Sequence, residues 1–173
     1  MQAWQTDHAE ANRFLPNAVG LIQLAFPDCG EVTSTELDER DTKEATDLVT
    51  ASGLCIGWRN RYDSPKRDRQ YRDLTIRYRR PTGTPTEIHK VLDGYSSHYV
   101  YTFVGLPPLP SDRFCEWAVF DMDRFRTLWP ELEPWGDVRE NVDRSSHLIG
   151  WPIEELADRP GLVLRWGGIR LTT

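Results

Sequence analysis

A short alternation constrains this chain more than any other feature. Leu54, Ile56 and Trp58 alternate with Cys55, Gly57 and Arg59, the period of a half-buried strand. Before it, Thr46 to Thr50 is a β-prone run, and Ala51-Ser52-Gly53 is turn chemistry, since glycine takes positive φ at little cost. Together these predict a hairpin. A tight hairpin places Asp47, near the start of one strand, roughly opposite Arg59, near the end of the other. An acid and a base then share one edge of a sheet.

The rest of the chain is organised around that hairpin. Asp7-His8-Ala9-Glu10 fits a capping box and predicts a helix start at Asp7. Pro16 is expected to break that helix or to open a second one. Ala18, Leu21, Ile22 and Ala25 then recur on one helical face until Pro27. Residues 29–35 read as a first strand, and 36–44 as an acidic loop or short exposed helix. Beyond the hairpin, 59–72 is a charged loop. Leu74, Ile76 and Tyr78 alternate with Thr75, Arg77 and Arg79, which predicts a third hairpin-connected strand. Thr86 caps a short helix ending near Gly94. Residues 95–104 and 114–120 read as strands and 123–129 as a helix. After them come a short strand at 147–150, one or two helical turns after Pro152, and a last strand at 162–166. The pattern predicts one α+β domain over 1–173 with a central mixed sheet and flanking helices. Its core spans about 14–126, and 127–173 form a C-terminal extension.

Composition narrows the function classes. No apolar run approaches the roughly 20 residues a membrane helix needs, so no membrane partner is expected. The N-terminus lacks the charged-then-apolar layout of a signal peptide. Cys29, Cys55 and Cys115 are odd in number and scattered, which suggests free thiols and a cytoplasmic location. The cysteines have no paired zinc spacing, and the four histidines are isolated.

Net charge is −6, but it is unevenly spread. Residues 58–80 carry nine basic and three acidic side chains, or +6, which leaves −12 for the rest. Residues 28–47 carry eight acids against Arg40 and Lys43, or −6. A basic ribbon beside an acidic one can pair internally or face a polyanion. Binding of nucleic acid would follow the local patch.

Several motifs in order carry a resemblance. They are Ala45-Thr-Asp-Leu-Val49, Cys55-Ile-Gly-Trp-Arg59, Asp73-Leu-Thr-Ile-Arg77, Thr86-Glu-Ile-His-Lys90 with Gly94, the aromatic run Tyr99 to Phe103, and Glu116 to Arg126. A helix, a strand, a strand with Asp, a strand, then a helix and strand resembles the core of the PD-(D/E)XK, restriction-endonuclease-like nuclease superfamily. It is similar to a small phage and bacterial branch with a degenerate active-site motif. The resemblance covers about residues 14–126.

It implies Mg²⁺-dependent phosphodiester hydrolysis, with DNA as a partner. Two acids would hold the ion, and a lysine would stabilise charge or orient water. Asp47 matches the first acid. The Asp/Glu-x-Lys position falls on Gly57-Trp58-Arg59, where Gly57 supplies no ligand and Arg59 is too basic to act as a general base. The resemblance therefore implies a second acid from Asp73 or Glu87, with Asp47 and Glu87 as metal ligands and Arg59 or Lys90 on the phosphate. Arg61, Arg77 and Arg79 are expected on outward strand faces, where arginine forks suit phosphate oxygens.

Each residue also has an ordinary explanation. Glu87 sits in a first helical turn that favours acids, and Glu87 with Lys90 is a common surface pair. Asp73 lies among arginines that it would neutralise. The alternative is thus a catalytically inactive member acting as a phage or bacterial protein-binding module, an adaptor or inhibitor of a host or phage protein. An unrelated α+β domain that imitates the pattern is a third reading.

Overall fold

The computed structural model describes residues 3–35, 46–62, 72–104, 114–141 and 144–168. Helix α1 (Ala3–Ala25) leads into strands β1 (Val32–Ser34), β2 (Leu48–Thr50), β3 (Cys55–Tyr62) and β4 (Asp73–Arg79). Next come helix α2 (Glu87–Leu92), β5 (His98–Val104), β6 (Phe114–Asp121) and helix α3 (Met122–Trp135). The chain continues through β7 (Asp137–Glu140), β8 (His147–Pro152), helix α4 (Ile153–Ala157) and β9 (Val163–Gly167).

A mixed sheet lies at the centre, in the order β1-β2-β3-β5-β6-β9. The hairpin expected at its heart is present. Leu48 pairs with Ile56 and Val49 with Cys55, and Gly53 turns the chain with φ +89°. The pair β3–β5 is parallel, and the other neighbours are antiparallel. A parallel neighbour needs a long crossover, and β4 with α2 lies within it.

The strand at 73–79 departs from expectation. It is not the hairpin partner of β3 but joins a second sheet, β4-β8-β7. Ile76 pairs with Ile149 and Leu74 with Trp151, so its partner lies far along the chain. The α+β class, the central mixed sheet and the flanking helices are as expected from the sequence, and the second sheet is additional.

Side chains sort to the two faces of the central sheet by the strand period. On one face, Leu48, Ile56, Val100 and Val119 pack against Ala18, Leu21, Ile22 and Ala25 of α1, the helical face read from sequence. On the other, Tyr99, Tyr101, Phe103, Ala118 and Phe120 meet Leu74 and Ile76 of the second sheet and Phe125 and Leu132 of α3. Trp151 is fully buried there, with its indole N–H donating to the Leu132 carbonyl at 2.8 Å.

Three prolines sit inside helices rather than ending them. Helix α1 starts at Ala3, not Asp7, and runs through Pro16 without a break. Helix α3 continues past Trp129 and contains Pro130 and Pro134. All three prolines are exposed, so a carbonyl left without its helical donor can turn to water.

The packing of α1 yields a contrast within one helix. Ile22→Ala should cost about 2–5 kcal/mol, because Ile22 is fully buried. Leu24→Ala should stay within about 0.5 kcal/mol, because Leu24 is 62% exposed. Urea unfolding of both variants checks the orientation of the helix.

Candidate functional site

Glu87 is the centre of the site. It opens α2, whose start is pinned to the second sheet because the Thr86 hydroxyl donates to the Tyr78 carbonyl at 2.8 Å. The Thr86 N–H donates to His89 Nδ1 at 3.1 Å. Buried Ile88 and Val91 hold the inner face of the helix. This geometry directs the Glu87 carboxylate inward, and its side chain is only 10% exposed.

Donors from three strands meet that carboxylate. Arg59 on β3 donates through Nε at 2.9 Å and Nη2 at 2.5 Å, both to Oε1. Tyr99 on β5 donates its hydroxyl to Oε1 at 2.9 Å. The Arg77 backbone N–H on β4 donates to Oε2 at 3.3 Å. Burial pushes the Glu87 carboxyl up, but the Arg59 charge and these hydrogen bonds together outweigh it and hold it below its ordinary value. Glu87 raises the pKa of Arg59 in return, and Asp47 adds to that effect, although the Arg59 side chain keeps 45% of its surface in solvent. Burial, then the Glu87 charge, pushes the Tyr99 phenol well up.

Gly57 explains why Tyr99 reaches Glu87. In the parallel register Gly57 lies beside Tyr99, and Arg59 beside Tyr101. A Cβ on Gly57 would stand 2.1 Å from the Tyr99 ring, inside any tolerable contact. The ring therefore occupies the space into which a side chain at 57 would project. A glycine inside a strand is the sequence signal for such a close approach. Reading the tyrosines only as part of an aromatic strand missed both Tyr99 and Tyr101. The Tyr101 hydroxyl donates to the Thr75 carbonyl and accepts from the Thr75 N–H at 3.1 Å, joining the two sheets.

Asp47 lies at the head of β2, but it is not opposite Arg59. Its N–H donates to the Ile56 carbonyl at 2.9 Å. Its Oδ2 accepts from the Trp58 N–H at 2.6 Å. Asp47 and Glu87 both raise the pKa of Arg59 and that of Tyr99.

Asp73 is elsewhere. It is buried on β4 and pairs with Arg139 of β7 at 3.1 Å. It lies four residues along β4 from Arg77, about 13 Å at strand rise. Lys90, half-buried, is one turn beyond Glu87 on α2.

Of the three arginines expected on outward faces, one is exposed and two are half-buried. Arg61 is half-buried and donates to the Thr75 hydroxyl at 2.6 Å. Arg77 is half-buried, and its Nε meets no acceptor among the described residues. Arg79 is exposed, over the Tyr78 ring at 4.4 Å. Arg72 pairs with Glu116 and lies over the Phe103 ring. Lys66, Arg67, Arg69 and the acidic stretch 36–44 fall outside the described residues.

This donor set does not fit a Mg²⁺ ion. Such an ion needs open carboxylate oxygens, whereas both Glu87 oxygens already accept hydrogen bonds and a guanidinium sits against one of them. Asp73 is too far along β4 to complete a shared shell. Among the described residues no group of three His, Cys, Asp or Glu side chains is placed to hold a metal.

Two measurements check this geometry. Gly57→Ala should lose about 1–3 kcal/mol from overpacking against the tyrosine, seen as a lower urea midpoint. The added loss should shrink in a Tyr99→Ala background, because the two sites share one space. Glu87 should also shape the acid limb of stability. Its folded pKa is lowered from 4.5, so its contribution is complete above that value and is lost as pH falls through the lower folded value. Glu87→Gln should be less stable than wild type near neutrality, and the gap should narrow below pH 4.5. A constant gap across that range would mean that the carboxylate charge is not what holds the site.

No protein-family model matches this sequence, and no curated protein is detectably similar to it.

Proposed function

We propose that this chain is a catalytically inactive, nuclease-like protein that works as a protein-binding module of adaptor or inhibitor type. One observation carries the reading. Glu87 and Arg59, which stand in for the missing acid and lysine of the degenerate motif, are bonded to each other, and Tyr99 fills the space over Gly57. A carboxylate already accepting from an arginine, a tyrosine and a backbone N–H has little capacity left for a cation.

The order α1, β1, β2 with Asp47 at its head, β3, α2, β5 supports a restriction-endonuclease-like frame, with β4 diverted into the second sheet. The state of the arginines favours a protein partner over DNA. Arg59, Arg61, Arg72 and Arg79 each contact a side chain of this same protein. Those contacts leave fewer of their donors for phosphates.

Incubation with plasmid DNA and Mg²⁺ or Mn²⁺ tests the proposal. Expected is intact plasmid, indistinguishable between wild type and Asp47→Ala, together with one protein partner retained through gel filtration. Cleavage abolished by Asp47→Ala would sink it and restore the Mg²⁺-dependent hydrolase. DNA binding that weakens steeply with salt would replace the protein partner with nucleic acid.

A further inference from the structure

We draw no further inference here: the strongest candidate, the exposed Leu164 and Trp166 on edge strand β9, is an apolar patch on a strand whose bulge and arginine oppose added pairing, and nothing in the structure shows what covers it.

Discussion

The buried carboxylate of Glu87 is the constraint on which this arrangement depends. Removing a charge from water costs several kcal/mol, even after relaxation, unless partners compensate. The compensation comes from β3, β4 and β5, through Arg59, the Arg77 N–H and Tyr99. One side chain on α2 therefore ties together strands from both sheets. The helix needs the tie, since six residues are too few to be stable alone. Ile88 and Val91 hold its inner face, and the carboxylate fixes where along the sheet that face sits. Loss of any one donor would leave a buried charge short of a partner, which is costlier than never having made the pair.

The parallel register between β3 and β5 makes this convergence possible. Gly57 and Arg59 lie on one face of β3, beside Tyr99 and Tyr101 of β5. The two tyrosines are two residues apart and so project to the same side. Tyr99 leans over the glycine to Glu87, and Tyr101 satisfies both backbone groups of Thr75. A phenol that donates and accepts in this way does for β4 what a neighbouring strand would do. Both rings are buried, so their hydroxyls need these partners. The second sheet is thus held against the first by apolar packing and by defined polar contacts.

Local periodicity made part of this legible in the sequence. The alternation at 54–58 placed β3, and Gly53 placed the turn. The spacing of Ala18, Leu21, Ile22 and Ala25 gave the buried face of α1, and Thr86 marked the start of α2. Each signal spans a few residues and reports one backbone period. Alternation at Leu74, Ile76 and Tyr78 reveals a half-buried strand, but it carries no information about which strand pairs with it. That partner is β8, and Ile76 meets Ile149. Pro16 differs for another reason: its missing N–H and its ring strain a helix without having to end it, and at an exposed position the freed carbonyl can turn to water. Arg61 and Arg77 depart from the expected solvent face because strand parity assigns a face without saying what lies above it. Thr75 and the second sheet stand over the face that carries Arg61, so a side chain expected in solvent is half-buried. Asp47 is expected roughly opposite Arg59, whereas the pairing of Leu48 with Ile56 sets it opposite Gly57, two residues short, with its side chain on the Trp58 N–H.

The relation between Gly57 and Tyr99 bears most on the chemistry. An acid at 57 would supply the residue that the resemblance expects there, yet its Cβ would stand 2.1 Å from the nearest Tyr99 ring atom. The acid therefore requires the ring to leave. Removing the ring takes a hydroxyl donor from Glu87 and empties a fully buried volume, which costs about 3–5 kcal/mol for a large aromatic side chain. Glu87 would then lean more heavily on Arg59, the cation that already opposes a metal ion there. A new carboxylate at 57 beside Glu87 would also add like-charge repulsion at short range, since two nearby carboxylates resist joint ionisation. The glycine, the tyrosine and the arginine–glutamate pair form one packed unit, whose members stabilise one another as a joint between sheets.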